Sequence, residues 1–426
     1  MKTVINPEQA TWADLLKRPA MEAANLDQLV QGVLAEVGKR GDAAVRAYTA
    51  RFDGVALDSF QVTEAEFAEA ERLVDEPLKE AIQLARQNIE SFHSRQWEQL
   101  EEVETMPGVR CWRKSVPIDK VGLYIPGGTA PLFSSVLMLG VPARIAGCGE
   151  IVLCTPPDKS GKVNAAILYT AAQVGIGKVF KIGGAQAIAA MAQGTETVPA
   201  VYKIFGPGNQ YVTAAKQLAS RRGVAIDMPA GPSEVLVLAD ATAQPAFVAA
   251  DLLSQAEHGI DSQVVLVADS LETAAKVQEA VMAQLESLPR RAIAAKALAN
   301  SVAVVMEDRS AAIRLINGYA PEHLILAVDD ARAVGEEITN AGSVFLGHYT
   351  PESVGDYASG TNHTLPTDGY ARSYSGVSLD SFIKKITFQE LTPQGLQQLG
   401  PAVQRMAEAE QLSAHARAVA VRLNAE

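Results

Sequence analysis

The chain is poor in several things that would otherwise widen its possible functions. Only three cysteines occur in 426 residues, Cys111, Cys148 and Cys154, and no two form a Cys-x-x-Cys pair. That count and spacing argue against a disulfide framework and against a thiolate zinc site. Each cysteine reads as a small buried hydrophobe. Basic residues are outnumbered, 37 Lys and Arg against 49 Asp and Glu, for a formal net charge of -12. Nucleic-acid binding, which usually needs a basic surface, has no support here. Phosphate-bearing cofactors stay open, because backbone N–H groups can hold them without net positive charge. No apolar run approaches the roughly 20 residues of a membrane helix, so no membrane partner is expected. The start, Met1-Lys2-Thr3-Val4-Ile5-Asn6-Pro7, has no secretory apolar region, and a cytoplasmic location is the expectation.

What remains is an ordinary globular composition, 48% hydrophobic and 20% charged, with room for two or three domains. Up to about residue 100 the texture is helical and charged. From Val121 short apolar strands alternate with Ala-rich helices, the order that gives βαβ units and a parallel sheet. Predicted strands include 121–125, 150–154, 178–182, 201–205, 235–238, 263–267, 301–305, 323–326 and 343–346. The tail from about Ser378 reads as helical and polar, with Leu391-Thr392-Pro393 as a helix start. The fold class is α/β, two incomplete Rossmann-like parallel-sheet domains with small helical N- and C-terminal extensions. The boundaries are 1–21 for the N-terminal extension, 22–123 with 235–377 for a first α/β domain, 124–234 for a second, and 378–426 for the tail.

Two groups of residues carry chemistry. The first is glycine-rich loops: Pro126-Gly127-Gly128, Gly183-Gly184, Gly206-Pro207-Gly208 and Gly231-Pro232-Ser233. Such loops at the carboxyl ends of parallel strands line the ligand crevice of an open sheet. Each alone can be a turn; four in one region favour a nucleotide site, with Tyr124, Gln186 and Asn209 at the strand ends. None fits Gly-x-Gly-x-x-Gly or a P-loop.

The second group is polar. The chain has six histidines, and His258 closes the run Asp251-Leu252-Leu253-Ser254-Gln255-Ala256-Glu257-His258-Gly259. Gln255 and His258, three apart, share a helix face and can hold a metal ion or a polar ligand. Asp356 follows Gly355, and an N/O donor set without cysteine suits Zn²⁺ or Mn²⁺. Glu322 and His323 follow Pro321 at a strand start, two bases whose environments can set their pKa values apart. Glu410 and His415 sit on the tail helix. His363 is close enough to Asp356 in sequence to support it. His93 and His348 are less telling, His93 being expected at the surface of a charged helix.

Longer stretches resemble one family. Tyr124-Ile125-Pro126-Gly127-Gly128-Thr129-Ala130-Pro131-Leu132-Phe133-Ser134-Ser135 looks like histidinol dehydrogenase, as do Gly206-Pro207-Gly208-Asn209 and Asp227 to Glu234. Asp251 to Gln263, Pro321-Glu322-His323-Leu324, Ala341 to Gly347 and Gly355 to His363 continue the match from about residue 20 to the end. The resemblance implies a homodimer that oxidises L-histidinol to L-histidine with two NAD⁺, the last step of histidine biosynthesis. It implies one Zn²⁺ per subunit on Gln255, His258, Asp356 and His415, the last from the partner. The implied substrate contacts are Ser233, Gln255, His258, Glu322, His323, Asp356, Glu410 and His415. Tyr124, Gln186 and Asn209 are the implied NAD contacts. On that basis His323 is expected to act as general base, Glu322 to activate water and zinc to orient the substrate.

Three other functions compete. A zinc hydrolase needs the metal set but not the glycine loops with Tyr124, Gln186 and Asn209. An aldehyde dehydrogenase using Cys148 or Cys154 needs an activated thiolate. A non-catalytic nucleotide-binding module leaves the Glu322–His323 pair without a purpose.

Overall fold

A computed structural model describes residues 1–19, 24–99, 101–127 and 131–424. Gly128, Thr129 and Ala130 of the first glycine-rich loop lie outside the described residues, as do positions 20–23 at the first domain boundary. The strands in chain order are β1 (Lys2–Ile5), β2 (Val103–Met106), β3 (Val109–Pro117), β4 (Lys120–Tyr124), β5 (Glu150–Thr155), β6 (Lys178–Lys181), β7 (Lys203–Phe205), β8 (Ala225–Ile226), β9 (Glu234–Ala239), β10 (Gln263–Ala268), β11 (Val302–Val305), β12 (His323–Ala327), β13 (Ser343–Leu346) and β14 (Ile383–Leu391).

The chain divides into two compact units. The larger holds residues 1–95 and 118–382, and the smaller holds 96–117 and 383–426. The larger unit contains two wholly parallel sheets, ordered β1-β11-β10-β9-β12-β13 and β6-β5-β4-β7-β8. The mixed α/β architecture with two parallel sheets is the expected one.

Continuous apolar runs rich in Val and Leu explain the six-stranded sheet. Val235, Val237, Val264 and Leu266 enter one apolar cluster, while Leu236, Leu238, Val265 and Val267 enter another. Both faces are therefore covered, by the helix Pro245–Ala256 on one side and Arg309–Tyr319 on the other. Pro245 opens its helix at a position where the missing N–H costs nothing.

Several expectations are corrected. The first residues are not helical: Lys2–Ile5 pairs in parallel with Val302–Val305 at the sheet edge. The segment 22–123 was expected to belong with the six-stranded sheet. Val30, Val33, Leu34 and Val37 instead pack in one cluster with Val152, Phe180 and Ile204 of the five-stranded sheet. The backbone agrees, since Val62 N–H donates to Val179 O and Lys181 N–H to Phe60 O along β6. His93 is fully buried rather than exposed. It continues the stripe Ile82, Ala85, Ile89 on the inner face of its helix, and its Nδ1 lies 2.9 Å from Ile89 O.

The smaller unit is an antiparallel sheet, β14-β3-β2, with the helices Pro393–Ala409 and Ser413–Leu423. The tail thus begins as a strand, Ile383–Leu391 paired with Pro117–Val109, before turning helical. Most of β14 is exposed, so no apolar run announces it. The predicted helix start is present, with Thr392 capping through Gly395 N–H.

Candidate active site

The polar residues gather at the amino edge of the six-stranded sheet. Glu234 starts β9, His323 starts β12 and Gln263 starts β10. Registry puts His323 opposite Val235 and Glu234 opposite Gln263. Open parallel sheets usually carry ligands at the carboxyl edge, so this placement was not expected.

Glu322 and His323 are both buried. His323 Nε2 lies 3.3 Å from Asp356 Oδ1, and Nδ1 lies 3.6 Å from Glu322 Oε2. Burial pushes the imidazole pKa down, but Glu322, Glu352 and Asp356 outweigh it and hold it well above its usual range. Burial pushes Asp356 up, and the hydrogen bond from His323, with the charges of His363 and His258, brings it below the ordinary carboxylate range. His363 Nδ1 is 2.8 Å from the backbone carbonyl of Asp356, and its Nε2 is 3.0 Å from Ser135 Oγ.

Gln255 is buried near the end of the helix Pro245–Ala256. In the amide orientation that satisfies both neighbours, it donates to Glu352 Oε1 at 2.7 Å and accepts from Glu234 N–H at 3.1 Å. The helix stops at Ala256, and His258 N–H donates to Gln255 O at 3.2 Å in the turn beyond. His258 is exposed. It bears electrostatically on Asp356. Ser233 stands one residue before β9 and accepts from Gln263 N–H at 3.2 Å.

Sequence reasoning missed three groups here. Glu352 is buried, and burial first, then Asp356, Glu322 and Asp251, push its carboxyl to about 8 against the pull of His323. Asp251 is pushed by burial to about 7. Glu234 is buried against Arg18, and burial holds it above its ordinary value while Arg18 opposes. For Asp251 the available signal was a charged residue inside an apolar run; Glu234 and Glu352 had no such signal.

Glu410 and His415 belong to the smaller unit, Glu410 at the end of the helix Pro393–Ala409 and His415 near the start of Ser413–Leu423. Among the described residues no three His, Cys, Asp or Glu side chains form a ready-made metal cage. Gln255, His258 and Asp356 nonetheless offer neutral oxygen, imidazole nitrogen and carboxylate oxygen, a donor set that fits zinc.

Tyr124, Gln186 and Asn209 share one cleft of about 360 Å³ at the carboxyl edge of the five-stranded sheet, with Phe52, Asp53, Pro156 and Gly184. Tyr124 Oη accepts from Gly184 N–H at 3.0 Å, and Gln186 Nε2 donates to Asp53 Oδ2 at 3.3 Å. Asn209 caps the helix Gln210–Ser220 through Tyr211 and Val212 N–H. Gly206 makes this cleft possible. Its φ is +129°, and a Cβ there would sit 2.0 Å from Tyr124 O.

Neither buried cysteine is activated. Burial, aided by Asp119, pushes the Cys148 thiol up to about 12, and burial alone pushes Cys154 up.

The model of the histidinol dehydrogenase family matches residues 16–423. A histidinol dehydrogenase from Bacteroides thetaiotaomicron is 62% identical over 424 residues, covering 100% of this chain and 99% of that one. The crystal structure of histidinol dehydrogenase from Elizabethkingia anophelis superposes with a TM-score of 0.97 at 56% identity, covering 99% and 98% of the two chains. A betaine aldehyde dehydrogenase from Staphylococcus aureus, at TM-score 0.50 and 11% identity over 89% of this chain and 85% of that one, shares the fold alone. The chain belongs to the histidinol dehydrogenase family, and it is an NAD-dependent oxidoreductase.

Proposed function

We propose that the chain oxidises L-histidinol to L-histidine through L-histidinaldehyde, consuming two NAD⁺ and one water, as the last step of histidine biosynthesis. The observation that carries this reading is the buried Glu322–His323 pair held against Asp356. When bound, NAD⁺ supplies the hydride acceptor and Zn²⁺ supplies orientation and positive charge. Gln255, His258 and Asp356, with His415 of a second subunit, would hold one zinc per subunit. The substrate imidazole and amine are good zinc donors, and Ser233 and Glu410 complete its contacts. His323 takes the hydroxyl proton. Burial lowers the pKa of that imidazole, and Glu322, Glu352 and Asp356 raise it by more; the charge of a bound divalent cation would offset theirs. Glu322, within reach of the same imidazole, activates the water that adds to the aldehyde.

Residues 235–377 carry the metal and catalytic set, residues 124–234 carry the NAD contacts Tyr124, Gln186 and Asn209, and the tail 378–426 reaches the partner in a cytoplasmic homodimer. No helix among the described residues is long and apolar enough to cross a membrane.

The deciding experiment counts NADH formed per histidinol consumed, with and without a chelator. Two NADH per substrate and loss of activity on chelation are expected. Histidinol-independent hydrolysis with no NADH would support the zinc hydrolase instead.

A further inference from the structure

Glu234 touches both members of the Glu322–His323 pair. Its backbone N–H donates to Glu322 Oε2 at 2.9 Å, and its Oε1 accepts from Glu322 N–H at 3.3 Å. The two glutamates thus hold each other by reciprocal side-chain-to-backbone bonds across β9 and β12. The carbonyl of Glu234 lies 3.3 Å from His323 Nδ1. Two buried carboxylates this close would repel unless one is neutralised.

Arg18 supplies the neutralising charge. Its Nε donates to Glu234 Oε2 at 2.5 Å and its Nη2 to Oε1 at 2.8 Å, the two-pronged geometry a guanidinium makes with a carboxylate. Tyr319 Oη donates to Gln263 Oε1 at 2.8 Å and lies 3.2 Å from Glu234 Oε2, and its ring lies 3.9 Å under the guanidinium. Nη2 also donates to Tyr319 O at 2.9 Å. The segment is fixed on the sheet by buried Leu16 and by Lys17 O, which accepts from Gln263 Nε2 at 3.1 Å.

We infer that Arg18 and Glu234 are a positioning pair that fixes the Glu322 carboxylate for water activation, so that the N-terminal segment sets the rate of the aldehyde step. This rests on the role proposed above for Glu322. Neither side chain of the pair meets a reacting atom; the Glu234 side chain reaches the site through Glu322 N–H, and only its backbone carbonyl faces His323.

The test compares oxidation of histidinol and of added histidinaldehyde in the holoenzyme of wild type, Arg18→Met, Arg18→Lys, Glu322→Gln and the double variant Arg18→Met/Glu322→Gln, per folded molecule. Arg18→Met is expected to lower aldehyde oxidation about 10- to 100-fold, the scale of a small misplacement of a reacting group. It should lower alcohol oxidation much less, with KM for NAD⁺ unchanged. Arg18→Lys should recover part of the loss, as a point charge without the fork. The double variant should be no slower than Glu322→Gln, because both changes act on one group. Equal loss in both steps, or multiplied losses in the double variant, would overturn the inference and leave a purely structural ion pair. If Arg18→Met does not fold, Arg18→Gln, which keeps a hydrogen-bond donor and loses the charge, is judged by the same two criteria. Wild-type NADH yield and the Glu322→Gln defect test the underlying reading separately. If either is absent that reading falls, and the positioning role falls with it.

Discussion

His323 Nε2 and Asp356 Oδ1 are 3.3 Å apart, so the proposed base and a proposed metal ligand are in direct contact. Asp356→Asn removes a charged donor and the partner of the imidazole together. Zinc retained after gel filtration is expected to fall at least about 10-fold, with kcat falling further, the usual scale for losing support at a metal site. Metal analysis of the purified variant checks this. Full zinc occupancy would take Asp356 out of the ligand set.

Glu322→Gln keeps a hydrogen-bond acceptor for Glu234 N–H but not a base. Oxidation of supplied histidinaldehyde is expected to fall by about 100-fold or more, the lower range of general-base contributions. Oxidation of histidinol to the aldehyde should fall less. A fast aldehyde step in this variant would assign water activation elsewhere.

The pattern of success in reading the sequence follows from what burial does to a segment. Strands covered on both faces, such as Gln263–Ala268, are continuous apolar runs and are plain in the sequence. Ile383–Leu391 and Val109–Pro117 stabilise each other mainly by pairing, with little burial, and their sequence carries little periodic signal. The glycine loops pointed to the cleft proposed for NAD⁺ because close backbone approach needs glycine locally. Arg18 and Glu234 are 216 positions apart, and only the sheet brings them together. A lone arginine near the N-terminus and a glutamate opening a strand carry no local sign of that. His93 misled because a histidine among charged neighbours reads as exposed, although its spacing from Ile82, Ala85 and Ile89 already put it on the inner stripe.

Gly206→Ala tests how the cleft is built. Gly206 N–H donates to Asp227 Oδ2 at 2.8 Å and its carbonyl accepts from Lys216 Nζ at 2.8 Å. Lys216 and Asp227 are themselves paired at 2.5 Å, so the glycine cannot move away from Tyr124 O. A methyl group must displace one of them. A loss of about 3–5 kcal/mol is expected, the range of strained-backbone and network-breaking substitutions. The midpoint of denaturant unfolding reads it, and an unchanged midpoint would mean that the loop relaxes freely.

Asp53 gives the pH dependence. Burial pushes its carboxyl up to about 6, against a hydrogen bond from Gln186. The unfolded chain titrates near 4, so between pH ~4 and ~6 the native state binds more protons than the unfolded one. Stability contributed by this group is therefore greatest at low pH and falls as pH rises, the loss being complete above about 6. Asp53→Asn keeps an acceptor for Gln186 and removes the charge. The variant should be more stable than wild type by about 1 kcal/mol at pH 8, after discounting the shift for partial exposure. That advantage should shrink below pH 6 and vanish near pH 4. Unfolding midpoints across this range decide it, and a variant less stable at pH 8 would show that the charge is compensated in the fold. Asp53 lines the cleft proposed for NAD⁺. The same substitution is thus expected to raise the Kd for NAD⁺ at pH 8 by about 10-fold, the loss of one charged acceptor for a ribose hydroxyl.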